Sequence, residues 1–316
     1  MTIIRRDREL FNGEQEENFM RIRVIGVPMD LGADRRGVDI GASAIRYAGL
    51  NDHLRKLGHS VHDIGNLVVP QPESLPLGNP RVKYLEPIVQ VCDELANIVT
   101  DSLQENEFPL VVGGDHSIAL GSISGVARVH KNIGVIWIDA HADFNTDETT
   151  PSGNVHGMIL AALAGIGHRD LANVCGWSPK IHPETIVIVG ARDIDPSERE
   201  RLHANAIHVF TMSDIDQRSI SAVMREALTI AGQHKNGIHL SLDMDALDPK
   251  EAPGVGTPVR GGLTYREAHL AMEMIASMGN LVSMDVVEVN PILDRENATA
   301  SLAVELVLSA LGKKIF

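Results

Sequence analysis

The chain has 316 residues, of which 44% are hydrophobic and only 3% are aromatic. This length suits one large α/β domain or two small ones, with a core built mainly from Val, Ile, Leu, Ala and Met. The formal net charge is −14, from 28 basic and 42 acidic residues. Such a charge disfavours nucleic acid and an anionic membrane as main partners, and it favours cationic ligands.

The first twenty residues form a charged, polar leader that we expect to be disordered. The leader lacks the apolar segment of a signal peptide, and no later run approaches the ~20 apolar residues of a membrane span. Cys92 and Cys175 lie in apolar stretches without a CxxC pair, which predicts buried free thiols in a reducing compartment. The sequence therefore predicts a cytoplasmic protein with a leader at 1–20 and one domain at 21–316.

Apolar runs of strand length alternate with segments of helical spacing along the rest of the chain. The predicted strands are 22–27, 61–64, 110–112, 133–138, 185–189, 207–210, 237–242 and 281–287. The predicted helices are 42–57, 85–104, 118–130, 155–164, 219–233, 265–277 and 299–311. The segment 69–80 contains four prolines and is predicted to be an exposed connection.

This alternation indicates a parallel sheet that is covered by helices on both sides, because the strands are apolar on both faces. We predict an α/β fold: a single three-layer α/β/α domain with a mostly parallel sheet of about eight strands. A dinucleotide-binding fold is the alternative. The chain has no GxGxxG motif after a strand, which disfavours that alternative.

Three polar clusters follow three of the apolar runs, at 113–116, 139–143 and 243–245. Alone, each cluster could be a helix cap or a solvated turn. Together they lie at the carboxyl ends of predicted parallel strands, where open α/β sheets bind ligands. Carboxylates and imidazoles without a thiolate suit a divalent ion such as Mn²⁺, so we predict a pair of metal ions. The candidate ligands are His116, Asp139, His141, Asp143, Asp243 and Asp245.

A metal pair that shares a water molecule lowers its pKa toward neutrality, which serves hydrolysis of an unreactive carbon centre or a phosphoryl group. The ligand loops contain no Lys or Arg clamp for a phosphate apart from Arg35 and Arg36, so a neutral or cationic substrate fits better. His156 is a candidate proton shuttle, with helix capping as the alternative. Glu288 closes the last strand and could pair with a cationic substrate, with a structural role as the alternative.

These motifs together resemble the ureohydrolase family, and most closely its arginase branch of the bacterial type. The resemblance covers the chain from residue 24 to the C-terminus. The segments 113–117, 139–145 and 241–248 are similar to motifs of the whole family, and 152–158 and 256–267 to those of the arginase branch. The chain differs at Ile159, where Pro is usual, and at Ala246, where Gly is common.

The resemblance implies two Mn²⁺ ions per subunit and cleavage of the guanidinium group of L-arginine to L-ornithine and urea by a metal-bridging hydroxide. It implies that one ion is held by His116, Asp139, Asp143 and Asp243. It implies that the other ion is held by Asp139, His141, Asp243 and Asp245. It also implies that Asp143 orients the hydroxide, that His156 moves a proton, and that Glu288 anchors the guanidinium group.

The same resemblance implies how the rest of the substrate is recognised. Asn145, Ser152 and Asn154 match residues that receive the arginine carboxylate, and Asp195 matches the one that contacts the α-amino group. Glu198 and Thr257 match secondary pocket positions. The family usually forms homotrimers or homohexamers. The alternatives are a ureohydrolase for agmatine or a guanidino acid, and a non-catalytic metal-binding relative; a deacetylase relative is disfavoured by the complete Asp243–Asp245 pair.

Overall fold

A sheet of eight parallel strands forms the centre of the fold. The computed structural model describes residues 19–314, so most of the predicted leader at 1–20 lies outside the described residues. The strands are β1 (Arg21–Val27), β2 (Ser60–Asn66), β3 (Gly78–Asn79), β4 (Val82–Lys83), β5 (Phe108–Gly113), β6 (Gly134–Ile138), β7 (Ile186–Ala191), β8 (His208–Thr211), β9 (Ile238–Asp243) and β10 (Leu281–Val287). Their order in the sheet is β2-β1-β5-β10-β9-β6-β7-β8, whereas β3 and β4 form a separate antiparallel hairpin.

Helices cover both faces of this sheet. They are α1 (Gly41–Tyr47), α2 (Leu50–Lys56), α3 (Leu85–Gln104), α4 (Ala119–Val129), α5 (Ile159–Leu163), α6 (Arg169–Ala172), α7 (Pro196–Ala204), α8 (Met212–Arg218), α9 (Ile220–Ala231), α10 (Tyr265–Met278) and α11 (Ala298–Ala310). One apolar cluster joins the sheet to α1, α2 and α8 to α11, and a second joins it to α3 to α7. The predicted three-layer α/β/α fold is therefore confirmed.

The central strands are buried on both faces, as their apolar sequences predict. Every residue of β5, β6, β7 and β9 is buried, whereas the edge strand β2 alternates between exposed and half-buried residues. In the sheet order, β5, β10, β9 and β6 are consecutive neighbours. The polar segments that follow these four strands therefore emerge side by side at one sheet edge.

Two predicted helices differ from the observed ones. The segment predicted as one helix at 42–57 is divided into α1 and α2 at Gly49, whose φ of 87° is left-handed and suits a residue without a Cβ. The segment predicted as a helix at 155–164 begins with a 3₁₀ turn, Val155–Met158, before α5. No helix of the described residues is long and apolar enough to cross a membrane.

Other elements were absent from the prediction. Helices α6, α7 and α8 carry too few apolar residues for a clear helical stripe, and the β3–β4 hairpin lies at the end of the proline-rich segment.

The prediction for the cysteines is half correct. Cys92 is a buried free thiol, whereas Cys175 is only partly buried.

Candidate active site

Four predicted ligands surround a single point at the carboxyl edge of the sheet. The Nδ1 atom of His116, which follows β5, lies 3.2 Å from an Oδ2 atom of each of Asp139, Asp143 and Asp243. All four side chains are buried. Local contacts fix this end of β5, because the side chain of Asp115 caps the next turn by accepting from the amide of Ser117 at 3.0 Å.

A second group of predicted ligands shares Asp139 with the first. His141 Nδ1 lies 3.1 Å from Asp245 Oδ2 and 3.4 Å from Asp139 Oδ1. Asp139 thus directs one carboxylate oxygen to each group. The ligand atoms of His116, Asp139 and Asp243 lie within 4.8 Å of one another, and so do those of Asp139, His141 and Asp245. This is the arrangement expected of two neighbouring metal sites that share a carboxylate.

The electrostatics of the cluster also suit a cation. Burial alone lowers the pKa of both imidazoles, but the surrounding carboxylates outweigh it and hold the pKa of His116 and of His141 well above the usual value. Among the acids, burial and the neighbouring carboxylates hold the pKa of Asp243 well above its usual value. Within residues 19–314, His116 Nδ1 is buried and forms no hydrogen bond of good geometry, although three carboxylate oxygens lie 3.2 Å away. Buried acids in this number require positive charge between them, so the residues fit divalent ions.

Two supporting residues were not among the predicted site residues. Trp137 donates its indole N–H to Asp139 Oδ2 at 2.9 Å, and Ser241 Oγ lies 2.8 Å from His116 Nε2. Trp137 lies two positions before Asp139, and Ser241 lies two positions before Asp243. Because side chains alternate along an extended segment, each lies on the same face of the sheet as the ligand that follows it. That spacing is the sequence signal that could have identified them.

His156 and Glu288 are in direct contact. His156 Nδ1 lies 3.0 Å from Glu288 Oε1, which also accepts from the amide of His116 at 3.0 Å. Burial lowers the pKa of His156, but the hydrogen bond and the charge of Glu288 outweigh it and raise this pKa to about 9. The other oxygen, Glu288 Oε2, is buried and has no hydrogen-bond partner in the described part of the chain.

Two site residues adopt a strained backbone conformation. Asp143 has a φ of 48° and Glu288 a φ of 62°, both in the left-handed region that residues with a Cβ rarely occupy. Strain of this kind collects at functional sites, where the surrounding structure imposes it. Here it directs two carboxylates toward the same cluster.

A cleft of about 160 Å³ opens above the cluster. Six residues predicted to contact the substrate line it, together with His141, Asp143 and His156: Asn145, Ser152, Asn154, Asp195, Glu198 and Thr257. Glu288, which was predicted to anchor the guanidinium group, is buried and does not line it. A larger open depression of about 580 Å³ lies at the amino-terminal ends of β9 and β10 and contains none of the predicted residues.

Hydrogen bonds connect the walls of this cleft. Asn145 Nδ2 donates to Asp195 Oδ2 at 3.1 Å, and the amide of Asp195 donates to Glu198 Oε2 at 3.3 Å. Burial raises the pKa of Glu198 to about 7. Thr257 donates its hydroxyl to Asp245 Oδ2 at 2.9 Å, which connects the cleft wall to the cluster.

The sequence departures lie behind the cleft. Ile159 and Ala246 are both fully buried, and neither lines it. Arg35 and Arg36 do not line it either. Arg35 donates to the carbonyl of Gly256, so its loop packs behind the segment that carries Thr257.

Comparisons with known proteins agree with this geometry. The arginase family model matches residues 20–312. An arginase from Brevibacillus brevis is 53% identical over 292 residues, which cover 92% of this chain and 98% of that protein. The crystal structure of arginase from Bacillus cereus has a TM-score of 0.90 and 50% identity, covering 94% of this chain and 100% of that one. Arginase from Bacillus caldovelox has a TM-score of 0.92 and 49% identity over the same shares of the two chains.

The fold and the acid–imidazole cluster define an α/β/α hydrolase with candidate metal-binding residues at the carboxyl edge of its sheet. The chain belongs to the arginase family. The predicted resemblance is therefore confirmed, and so is the prediction that the protein is a hydrolase of this family.

Proposed function

We propose that the protein hydrolyses L-arginine to L-ornithine and urea with two Mn²⁺ ions. One observation supports this proposal above the others: a single small cleft combines a floor of buried acids and imidazoles with a wall of neutral hydrogen-bond donors. The acids suit the cationic ends of an amino acid such as arginine. The neutral donors suit its carboxylate.

The proposed metal ligands are the six residues of the cluster. His116, Asp139, Asp143 and Asp243 would hold one ion, and Asp139, His141, Asp243 and Asp245 would hold the other. When bound, the ions supply Lewis acidity and lower the pKa of a shared water molecule toward neutrality. Asp139 contributes a separate oxygen to each group of ligands, which suits a bridging role.

The substrate is recognised at its two ends. Asn145, Ser152 and Asn154 offer amide and hydroxyl donors to the carboxylate, whereas Asp195 and Glu198 attract the α-ammonium group. At the other end, Glu288 Oε2 is free to accept from the guanidinium group, because Oε1 already bonds His116 and His156. Thr257 closes the pocket beside Asp245.

His156 supplies the proton that the leaving amine needs. Burial lowers its pKa, but its hydrogen bond to Glu288 and the charge of that carboxylate raise this pKa to about 9, and it lines the cleft. Its hydrogen bond to Glu288 holds the imidazole ring in place, so the position of the proton donor relative to the proposed guanidinium anchor is fixed. Proton transfer by a positioned imidazole accelerates such reactions by ~10²–10⁴-fold.

The same proposal covers the setting of the enzyme. We propose that residues 21–316 form one catalytic domain after a polar leader, in a cytoplasmic homotrimer or homohexamer without nucleic-acid or membrane partners. Light scattering on the purified chain measures the number of subunits. A monomer would contradict that part of the proposal and leave the reaction untouched.

Urea release tests the reaction. The protein is stripped with a chelator and reloaded with Mn²⁺, Co²⁺, Ni²⁺ or Fe²⁺, and L-arginine and agmatine are supplied in parallel. The proposal predicts urea from arginine, restored best by Mn²⁺. Urea from agmatine alone would transfer the assignment to another guanidino substrate. No urea from either compound, with metal bound, would favour a non-catalytic relative.

A further inference from the structure

The β3–β4 hairpin packs against the loop that carries Ser152 and Asn154. The amide of Lys83 donates to the carbonyl of Gly153 at 3.0 Å. A Cβ at Gly153, whose φ is 74°, would lie 1.8 Å from the carbonyl oxygen of Pro80, so only glycine permits this approach. Arg81 donates to the backbone carbonyls of Asp147 and Glu148 in the same loop. The hairpin therefore supports the wall of the cleft from behind.

The side chain of Lys83 fixes the orientation of the Asn154 amide. Lys83 Nζ donates to Asn154 Oδ1 at 2.9 Å, and Asn154 Nδ2 donates to the carbonyl of Ala33 at 2.9 Å. An ammonium can only donate and a backbone carbonyl can only accept, so the oxygen and nitrogen of this amide cannot exchange places. Asp34 Oδ2, 2.7 Å from Lys83 Nζ, holds the ammonium in position.

One N–H of Asn154 stays available in this arrangement, because Nδ2 carries two hydrogens and Ala33 accepts one. Asn154 lines the cleft. The ammonium on Oδ1 polarises the amide, which makes the remaining N–H a stronger donor to an anion. A cation thus acts on the cleft through a neutral side chain.

The charge of the cleft makes this contribution important. Apart from His156 and the proposed metal ligands, the charged side chains that line it are the acids Asp193, Asp195 and Glu198, and no Lys or Arg among the described residues does. An acidic cleft repels a carboxylate. A substrate with an α-carboxylate therefore needs positive charge near the donors that receive it.

We propose that Lys83 is a positioning residue that gives the cleft its preference for substrates with an α-carboxylate. The inference rests on the proposed function, since it assigns the carboxylate to Asn154. Lys83 lies outside every motif that resembles the family. Without its ammonium, Asn154 Oδ1 loses its cationic partner, and the remaining N–H of the amide becomes a weaker donor to the carboxylate.

The test compares two ligands that differ only in the carboxylate, L-ornithine and 1,4-diaminobutane, as inhibitors of urea release from L-arginine by the Mn²⁺-loaded full chain. In Lys83→Met we expect the KM for arginine and the inhibition constant of ornithine to rise about tenfold, the value of one ordinary hydrogen bond. The kcat and the inhibition constant of diaminobutane should stay within about twofold. Lys83→Arg, which keeps a cationic donor, should restore most of the preference.

Arg81→Met is the matched control, because it removes a cation of the same hairpin whose side-chain hydrogen bonds in the described part of the chain go to loop carbonyls. We expect the ratio of the two inhibition constants to stay as in the unaltered chain. An equal change of that ratio in Arg81→Met and Lys83→Met would show that hairpin docking alone matters, and would overturn the inference. Equal weakening of ornithine and diaminobutane in Lys83→Met would overturn it as well.

A binding measurement separates this inference from the proposed reaction. Both ligands are tested for their effect on the melting temperature of each variant. If the unaltered chain releases no urea but Lys83→Met loses stabilisation by ornithine alone, the reaction fails and the inference stands. If urea is released and Lys83→Met binds ornithine as the unaltered chain does, the inference fails and the reaction stands.

Discussion

Trp137 stacks on the imidazole of His116, with ring centroids 3.8 Å apart and ring planes 8° apart. The same indole donates its N–H to Asp139. The side chain of Trp137 therefore restrains two proposed metal ligands, His116 after β5 and Asp139 after β6. Contacts of this kind orient ligands before a metal binds, and their loss typically weakens metal affinity 10–100-fold.

Replacing Trp137 by phenylalanine should separate these two contacts. The variant keeps a flat ring against His116 but loses the N–H that holds Asp139, so we expect Mn²⁺ affinity to fall about tenfold. Calorimetric titration of chelator-stripped protein measures this. Trp177→Phe is the control, because that indole contacts Lys131 and Lys180 and no candidate ligand. Equal affinity in Trp137→Phe and Trp177→Phe would remove Trp137 from the metal site.

Ser241→Ala should weaken metal binding through His116. The hydroxyl of Ser241 is the partner of His116 Nε2 and so holds the ring in the orientation in which Nδ1 faces the carboxylates. We expect Mn²⁺ affinity to fall by about tenfold or more. The control is Ser283→Ala, which removes a similar buried contact, 2.7 Å from His239 Nδ1, without touching a ligand. If both variants lost stability equally and neither lost Mn²⁺ affinity, Ser241 would be only a packing residue.

The ends of the central strands and the ligand clusters were predictable from the sequence, because apolar runs that end in acids and imidazoles are local patterns. Helix α7 was not predictable in the same way. Its sequence is mostly charged, and of its residues only Glu198 and Leu202 are buried, so it has no apolar stripe. Its position is nevertheless important, since it carries Glu198 to the cleft.

Contacts between distant segments were also beyond the sequence. Lys83 and Asn154 are 71 positions apart, and their contact depends on a hairpin of four strand residues that begins at the end of the segment 69–80, which was predicted to be an exposed connection. Only the tertiary packing of the hairpin brings them together. The division of the first predicted helix had a signal, Gly49, but a glycine inside a helical pattern does not by itself show that the helix ends.

Asp143→Ala should abolish urea release and weaken metal binding together. Asp143 Oδ2 is one of the three oxygens around His116 Nδ1, so its loss removes a proposed ligand and a group that would orient the attacking water. Urea release and bound metal are measured on the same sample. Asp193→Ala serves as the control for metal content, because Asp193 lines the cleft but belongs to neither group of candidate ligands, so the variant should keep Mn²⁺ bound. Unaltered turnover in Asp143→Ala would contradict the two-metal mechanism.

His156→Ala should separate turnover from metal binding. His156 contacts Glu288 but lies outside both groups of candidate ligands, so the variant should retain its Mn²⁺. We expect kcat to fall by ~10²–10⁴-fold, the usual effect of losing a positioned proton donor. Steady-state urea release and metal analysis provide the two measurements. Unchanged kcat would assign His156 a structural role beside Glu288.

Lys180 should make stability depend on pH between about 8 and 10.5. Its side chain is buried, donates to the carbonyl of Ala172 at 2.7 Å and lies 5.0 Å from the ring centroid of Trp177. Burial lowers its pKa from 10.5 to about 8. Between these values the unfolded chain binds the proton that the folded chain releases, so the free energy of unfolding contributed by this group rises with pH.

The sign of this contribution gives a direct test. The contribution of Lys180 to the free energy of unfolding is fully present above pH 10.5 and is lost as the pH falls through about 8. We therefore expect the free energy of unfolding of the unaltered chain to increase, relative to that of Lys180→Met, as the pH rises from about 8 to 10.5. Chemical denaturation at several pH values measures it. Lys131→Met is the control, since Lys131 also contacts the ring of Trp177 but is exposed. A constant difference for Lys180→Met would mean that Lys180 keeps its proton throughout.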